Sequence, residues 1–373
     1  VTLIDKSKFP RDKICGDGLT PDVIFQIGKV SQELLSDLHL IQSKTVSKGA
    51  QVYSYTGQKL NFPFVGKFGM VCPRFDFDHL LMSHAKKFDC IHIIENFEVK
   101  SITSDVDRYL VNGELQSIPA DLIVGADGAQ SIVAKSMANK KLDRESYCAG
   151  LRVYYENMDD LDKDNCIELF TFKHLPMSYF WIFPLANKKV NVGIGMRSDY
   201  ISKHKVNLKK ELNELIQAHP ILSMRFKQAS PLETIKGFGL PLCTKKSSIS
   251  GQGYLLVGDA ASLIDPLSGE GIGSAIRSGR IAAEYIINSI DEQLAFTAIT
   301  NKKYDQMIYR KMWSEFRTSK LLVNLFRHPT LLDFTIKTIH HNKSLKKMIE
   351  TMDSLEIRKQ MTRPQFYWNL MFK

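Results

Sequence analysis

The chain has 373 residues, of which 44% are hydrophobic and 24% charged, as in ordinary folded proteins. This length predicts two or three domains, and no run of about eighteen apolar residues is present that would predict a transmembrane helix. The formal net charge of +10 favours an anionic partner, namely nucleic acid, lipid headgroups or a phosphorylated substrate, unless it is only a solvated basic surface.

Cysteine usage indicates a reducing compartment. Six cysteines occur without any CxxC pair, at positions 15, 72, 90, 148, 166 and 243. This scatter argues against a zinc site or a disulfide framework and predicts a cytoplasmic protein. The histidines lack a third ligand-like partner, so we predict no metal site.

The first element predicted is a buried parallel strand over residues 1–4, VTLI, which ends at Asp5. In a dinucleotide-binding βαβ unit, an acidic residue at this position binds a ribose hydroxyl. The alternative is that Asp5 is only a turn residue. The GxGxxG turn that accompanies such a residue does not occur in the sequence, so we expect the first strand, turn and helix of that unit to precede Val1.

Further apolar runs predict more strands and two helices. The strands lie at residues 51–55, 91–94, 122–124, 151–155, 167–172, 179–183, 190–196 and 254–257, and the helices at 78–87 and 274–288. The strands between residues 151 and 196 follow one another and partly alternate, which predicts an antiparallel sheet. Parallel-type strands on both sides of this block predict two interleaved domains.

The segment GDAASLIDPLSGEGIG, residues 258–273, is the most informative motif. It follows a buried strand and places glycines at the start of an amphipathic helix, where free N–H groups and the helix dipole stabilise an anion. Reduced flavin is such an anion, and Asp259 is suited to accept a hydrogen bond from a ribityl hydroxyl. A second strand followed by a glycine turn, ADLIVGADGAQS, places Asp127 and Gly128 in a comparable position.

These two motifs carry a resemblance to a known family. ADLIVGADGAQS resembles the DG motif of the para-hydroxybenzoate-hydroxylase-like FAD superfamily, and the 258–273 segment resembles its GD motif in the form found in geranylgeranyl reductases. FPRDKICGDG, residues 9–18, is similar to the CG segment that runs beside the flavin there. YFWIFP, residues 179–184, resembles the YxWxFP substrate motif. Residues 300–373 match no motif.

The resemblance implies FAD as cofactor, with NADPH or ferredoxin as electron donor. The implied cofactor-binding residues are Asp5, Cys15, Gly16, Gly18, Arg74, Val99, Asp127, Gly128, Asp259, Pro266, Gly269, Gly271, Ile272 and Gly273. The implied substrate residues are Tyr179, Trp181, Phe183, Pro184, Gly193 and Gly195. Asp5 stands where the family often has Glu, and either side chain can bind ribose.

Two of these assignments have a structural alternative. Cys15 either lies by the flavin and acts in catalysis, helping to place a proton or a substrate double bond, or is a small residue that packs a glycine loop. Trp181 and Phe183 alternate with Phe180 and Ile182 along a strand, so the two pairs face opposite sides. Either Trp181 and Phe183 form an apolar wall for an isoprenoid chain, or both pairs pack in the core.

The predicted fold is therefore α/β, with a glutathione-reductase-type FAD domain, an antiparallel-sheet substrate domain (α+β) and a helical C-terminal cap. We assign residues 1–50, 72–147 and 238–300 to the FAD domain, 51–71 and 148–237 to the substrate domain, and 301–373 to the cap. In the cap, Leu321, Leu322, Leu325, Phe326, Leu331, Leu332 and Phe334 form an exposed apolar face or pack helices together. The tail FYWNLMF docks into the protein or onto lipid.

The predicted function is FAD-dependent reduction of carbon–carbon double bonds in a geranylgeranyl-type isoprenoid or prenylated lipid. A basic surface suits a phosphorylated head group or peripheral contact with the inner membrane face, and no specific nucleic acid is expected. Within the superfamily the alternative is a monooxygenase that hydroxylates an apolar or aromatic substrate; a halogenase fits less well, because its WxWxIP element is only half matched. In another class, the alternative is a non-catalytic isoprenoid- or lipid-binding relic.

Overall fold

Apolar runs and amphipathic stretches become strands and helices in the computed structural model. It describes residues 1–105, 108–325, 327–342, 345, 347, 351, 354–363 and 365–366. The strands are β1 (Thr2–Ile4), β2 (Gly18–Leu19), β3 (Thr45–Ser47), β4 (Gly49–Tyr53), β5 (Lys59–Pro63), β6 (Gly69–Val71), β7 (His92–Ile94), β8 (Ser101–Asp105), β9 (Arg108–Asn112), β10 (Ser117–Ala120), β11 (Ile123–Gly125), β12 (Tyr147–Glu156), β13 (Ile167–Phe170), β14 (Ser178–Pro184), β15 (Val190–Arg197), β16 (Ser230–Pro231), β17 (Lys236–Pro241), β18 (Ser250–Gly251) and β19 (Tyr254–Leu256).

The helices range in length from 5 to 24 residues. They are α1 (Pro21–Val30), α2 (Gln32–Leu40), α3 (Arg74–Ala85), α4 (Ile132–Ser136), α5 (Ser198–His204), α6 (Leu208–Ala218), α7 (Pro220–Arg225), α8 (Ile272–Asp291), α9 (Lys302–Leu325), α10 (Pro329–His341) and α11 (Ser354–Met361). No helix in the described ranges is both long and apolar enough to cross a bilayer.

Two small sheets, a parallel pair and a mixed sheet in which β18 is antiparallel to β19, border one hydrophobic core. β1 pairs with β7, and β11 pairs with β19, each in parallel. Ile4 and Ile94 of the first pair pack against the cluster that contains Ile123 and Leu255 of the second, together with buried residues of α8 and α9. Each of the strands β1, β11 and β19 is followed within three residues by an aspartate, so acidic side chains stand at the carboxyl ends of the strands, where α/β sheets bind ligands.

The central sheet has eight strands in the order β16-β12-β15-β14-β13-β4-β5, with β17 also paired to β12. Its pairs are antiparallel, as predicted, except that β13 and β4 are parallel. β4 comes from much earlier in the chain, since Ala50 pairs with Ile167, and its parallel pairing requires a crossover connection. One face of the sheet packs on α6 and α7 through Phe180, Ile182 and Val192.

Two smaller sheets complete the described part of the chain. β2, β6 and β3 form an antiparallel sheet whose core residues pack with α1, α2 and α3. β8, β9 and β10 form a meander. The predicted domain boundaries remain a prediction.

The C-terminal helices pack mainly inward. α9 joins the core of the parallel strands through Tyr304, Ile308, Met312 and Phe316. A separate cluster joins α10 and α11 to the β4–β5 hairpin, and its buried residues are Leu60, Leu322, Ile336, Ile339, Leu345, Ile357, Met361 and Phe366. Leu332 packs against it. Leu321 and Phe334 are exposed, Leu331 is half-buried, and Phe326, the Leu325 side chain and residues 367–372 lie outside the described residues.

Candidate functional site

A basic segment joins two of the strand-end aspartates. Asp5 follows β1, and its Oδ2 lies 3.9 Å from Nη2 of Arg11. Asp259 follows β19, and its Oδ2 lies 3.8 Å from Nζ of Lys13. Because Arg11 and Lys13 are two residues apart, the two carboxylates border one region. This arrangement brings hydrogen-bond acceptors for hydroxyls and cations for phosphates to the same place.

The glycine loop between Asp265 and Gly271 is organised by one buried carboxylate. Oδ1 of Asp265 accepts hydrogen bonds from the backbone N–H groups of Leu267 and Ser268, at 3.0 and 2.8 Å, and from the Ser268 hydroxyl, at 2.9 Å. Gly269 has φ +68°, which favours glycine. Pro266 follows Asp265 and is buried.

Helix α8 begins at the end of this loop. Gly271 is its N-cap and offers no side-chain hydrogen bond to the first turn, although Oε1 of Glu270 accepts from the Gly273 N–H at 2.5 Å. A Cβ on Gly271 would lie 3.2 Å from Oδ1 of Asp259. The loop backbone and the Asp259 carboxylate therefore adjoin the N-terminus of α8, where the helix dipole attracts negative charge.

Glu270 is the titratable group at this helix end. Burial raises its pKa to about 7, and the neighbouring Asp265 and Asp22 carboxylates act in the same direction. The Gly273 N–H and Arg277 oppose the shift. Glu270 is therefore partly protonated at neutral pH, which lessens its repulsion of an anion at this position.

One face of β14 lies against the glycine segments. Trp181 is buried, Tyr179 and Phe183 are half-buried, and the Tyr179 hydroxyl donates to the backbone oxygen of Ser268 at 3.2 Å. A Cβ on Gly16 would meet the Phe183 ring at 3.0 Å, and one on Gly18 would meet it at 3.2 Å. The face with Tyr179, Trp181 and Phe183 is therefore distinct from the core face with Phe180 and Ile182, as the alternation predicts.

Glycines in the neighbouring strand make room for these rings. A Cβ on Gly193 would lie 2.1 Å from Cζ2 of Trp181, so no larger residue fits beneath the indole. Gly195 lies beside Tyr179, with a hypothetical Cβ at 3.6 Å from the ring, an ordinary contact. Pro184 is buried at the end of β14. All six predicted substrate residues thus belong to β14 or β15.

Arg74 and Cys15 meet at the start of α3. Nε and Nη2 of Arg74 donate to the two carboxylate oxygens of Asp78, at 2.6 and 2.8 Å. Burial alone would lower the pKa of Arg74, but the interactions with Cys15 and Asp78 outweigh it and raise the pKa above the ordinary value for arginine. The charge of Arg74 is therefore permanent. Arg11 also donates to Asp78. A fixed positive charge therefore stands beside the Cys15 side chain.

The predicted residues of the second motif serve a local role in the structure. Oδ2 of Asp127 accepts from the backbone N–H groups of Ile132 and Val133, at 2.7 and 3.2 Å, and so caps α4. Gly128 has φ +78°. Val99 is half-buried and packs against the core of the parallel strands.

Sequence reasoning missed two polar residues next to its own motifs. Asp17 lies within the CGDG segment and is fully buried. Asn191 lies in β15, and its amide donates to the Cys15 oxygen at 2.7 Å and to Oδ2 of Asp17 at 2.8 Å. The sequence does contain one sign of this contact. Asn191 is the single amide in the apolar strand VNVGIGM, and a buried polar side chain must have hydrogen-bond partners.

The residues present fit an FAD. The N-cap of α8 is a glycine without a side chain, a Cβ on Gly128 would meet no atom within 4 Å, and the donor set combines carboxylates for hydroxyls with cations for phosphates. The flat aromatic face of β14 adjoins both glycine segments. Dinucleotide sites combine these same features with a glycine turn.

Comparisons with known proteins match the chain to FAD-binding proteins. A family model described as FAD binding domain matches residues 35–293. The chain is 27% identical to a digeranylgeranylglycerophospholipid reductase of Methanosarcina acetivorans over 328 aligned residues. The aligned region covers 84% of this chain and 74% of that protein. Over 297 residues it is 27% identical to a menaquinone reductase of Mycobacterium tuberculosis, covering 77% and 70% of the two chains.

Solved structures share the fold. A geranylgeranyl bacteriochlorophyll reductase-like protein from Thermoplasma acidophilum has a TM-score of 0.77 at 22% identity and covers 99% of this chain and 92% of its own. The flavin-dependent brominase Bmp2 has a TM-score of 0.76 at 17% identity, with coverage of 99% and 92%. Since the family model spans well over half of the sequence, the chain belongs to the FAD binding domain family and is an FAD-dependent oxidoreductase with geranylgeranyl reductase-like relatives.

Proposed function

We propose that this chain reduces carbon–carbon double bonds in an isoprenoid chain of the geranylgeranyl type, carried by a lipid. The observation that carries the proposal is the contact between the aromatic face of β14 and the glycines of two cofactor segments, Gly16 and Gly269. An extended apolar substrate needs such a wall beside the reacting end of a flavin. The names of the relatives, which are reductases of isoprenoid lipids and of menaquinone, support the same substrate class.

The bound and reduced FAD supplies the hydride in this proposal. Asp5 and Asp259 would bind hydroxyls of the cofactor, and Lys13 and Arg11 would face its phosphates. The N-terminus of α8 would stabilise negative charge on the flavin. A carboxylate, a cation or a helix end of the site supports each of these assignments.

On the substrate side, Trp181 and Phe183 would hold the isoprenoid chain and exclude water from the reacting bond. Cys15 would stand beside it, with Arg74 as the neighbouring charge. Gly193 and Gly195 would allow the rings of β14 to lie close to the sheet. Orientation and water exclusion are then the contribution of the protein, as expected for cofactor chemistry.

The remaining parts of the proposal concern the surroundings of the enzyme. We expect NADPH or ferredoxin as electron donor and a cytoplasmic protein that contacts the inner membrane face peripherally. The net charge of +10 supports this contact, because anionic headgroups attract basic surfaces. Binding to vesicles of neutral and anionic lipids, compared at low and high salt, tests it.

The function itself is tested anaerobically. The FAD-loaded chain is reduced with dithionite and mixed with a digeranylgeranyl glycerophospholipid in detergent, and the lipid is analysed by mass spectrometry. We expect two hydrogens to be added per double bond, and Trp181→Ala to lose most of this activity. Trp313→Ala, which changes a half-buried tryptophan on α9, is the matched control and should retain it.

Other outcomes would contradict the proposal. Product that contains an added oxygen and forms only in air would identify a monooxygenase. A chain that binds the lipid but does not retain FAD would support the non-catalytic alternative. Equal losses in the two tryptophan variants would refute the role given to the β14 face.

A further inference from the structure

Asp17 is a buried carboxylate beside the candidate flavin face. It is 0% exposed and adopts φ +63°. Its Oδ2 accepts hydrogen bonds from the Tyr154 hydroxyl at 2.6 Å and from the Asn191 amide at 2.8 Å. Its Oδ1 is buried with no partner in the described part of the chain. An unpaired buried carboxylate oxygen destabilises a fold, so packing alone gives no reason for an aspartate at this position.

Asn191 connects this carboxylate to the aromatic face. Its Nδ2 donates both to Asp17 and to the backbone oxygen of Cys15, while its Oδ1 accepts from the Trp181 indole Nε1 at 2.9 Å. The amide is therefore oriented by its acceptors on residues 15–17, and it orients the indole in turn. Gly16 lies in contact range of Phe183 in the same region. The Asn191 amide thus connects residues 15–17 to the aromatic face of β14.

The groups that face Asp17 come from three elements and one loop. They are Tyr154 and Arg152 of β12, Asn191 of β15, Arg74 of α3 and Cys72 after β6. Burial raises the pKa of Asp17 to about 6, while the hydrogen bonds from Tyr154 and Asn191 and the charges of Arg152 and Arg74 oppose the shift. Arg152 is itself paired with Asp12 and Glu233, at 2.7 and 2.6 Å.

We propose that Asp17 is a positioning residue that acts through Asn191: its ionised carboxylate holds the amide and so fixes the Trp181 indole against residues 15–18. Protonation of Asp17 weakens Oδ2 as an acceptor and loosens this connection. The site is then ordered at pH values at which Asp17 is ionised and less ordered at pH values at which it is protonated. The role in catalysis rests on the proposed function, whereas the connection between Asp17 and Trp181 does not.

The connection is tested by NMR on the whole chain. The indole N–H signal of Trp181, assigned by its loss in Trp181→Phe, is followed in a ¹H–¹⁵N spectrum while the pH is varied. We expect this signal to shift with a midpoint near 6 and to lose that shift in Asp17→Asn. Asp305→Asn is the matched control, because Asp305 is also an aspartate with a raised pKa that accepts from serine hydroxyls. It should leave the Trp181 titration unchanged.

A second variant keeps the test decisive if Asp17→Asn does not fold. Tyr154→Phe removes a hydrogen bond that lowers the pKa of Asp17, so the midpoint of the indole titration should move to higher pH. An indole signal that titrates identically in Asp17→Asn, or a midpoint that Tyr154→Phe leaves in place, would overturn the inference.

The catalytic part has its own readout. In the anaerobic assay, kcat of the wild-type chain should fall as the pH drops through about 6. In Asp17→Asn this step should be absent, and kcat at pH 7 should be about tenfold lower with little change in KM, since a misplaced group slows the reaction more than it weakens binding. A wild-type chain without reductase activity refutes the proposed function, while the indole titration still decides the inference on Asp17.

Discussion

Gly269→Ala tests the geometry of the glycine loop most directly. The residue has φ +68°, and a Cβ there would lie 2.5 Å from the Tyr179 hydroxyl oxygen, with the next nearest atom at 3.8 Å. Alanine in this conformation costs about 1–2 kcal/mol. Displacing the hydroxyl from the Ser268 oxygen costs about 1 kcal/mol more. We therefore expect the free energy of unfolding to fall by about 2–3 kcal/mol, as the sum of the two effects.

The matched control is Gly279→Ala in the middle of α8. No atom lies within 4 Å of its hypothetical Cβ, so alanine there should stabilise the chain by about 0.5–1 kcal/mol. Urea unfolding of the FAD-free chains, followed by far-UV circular dichroism, measures both changes. FAD affinity, followed by fluorescence quenching, should fall only for Gly269→Ala.

A double-mutant cycle separates the two contributions at Gly269. In a Tyr179→Phe background the obstructing hydroxyl is absent, so Gly269→Ala should cost about 1 kcal/mol less than in the wild type. An undiminished cost would show that the hydroxyl does not contact this position. A variant as stable as the wild type would refute the left-handed conformation of the loop.

Three further changes concern charged side chains that are buried or half-buried. Burial raises the pKa of Glu270 to about 7 from its ordinary 4.5. Between these pH values the folded chain retains a proton that the unfolded chain loses, so the free energy of unfolding falls as the pH rises through the interval. Urea unfolding at pH 4.5 and at pH 7 should show that Glu270→Gln lacks this loss. Arg225 forms a buried bidentate pair with Glu168, so Arg225→Met should cost about 3–5 kcal/mol in the same assay, and methionine at both positions should recover most of it. Arg358→Gln removes a charge-assisted bond to Asp265 and should cost about 1.5–3 kcal/mol; an unchanged urea midpoint would contradict that bond.

Local patterns predicted some elements closely and left others out, among them α1 and α2. The strand predicted over residues 179–183 is observed as Ser178–Pro184, with its two faces separated as the alternation requires. The helix predicted over residues 274–288 is observed as Ile272–Asp291. The helix predicted over 78–87 instead spans Arg74–Ala85, because Pro73 is its N-cap and the first turn is already helical before the apolar spacing becomes clear.

Contacts between distant segments were not predictable in the same way. Asp17 and Asn191 are 174 residues apart, and their hydrogen bond depends on how the loop after β1 meets β15. The parallel pairing of β13 with β4 likewise depends on a crossover that leaves no periodic trace in either strand. Periodicity reports which face of an element is buried and says nothing about which element covers it.

The Asp265 carboxylate connects the cofactor loop to the end of the chain. Its Oδ2 accepts from the Ser319 hydroxyl of α9 at 2.5 Å and from Nη1 of Arg358 in α11 at 3.1 Å. During synthesis, the loop therefore gains its full set of hydrogen bonds only after residue 358 has been made and α11 has docked. Removing α11 would therefore deprive the Asp265 carboxylate of its bond from Arg358, although that carboxylate, which organises the glycine loop, lies 93 residues earlier in the sequence.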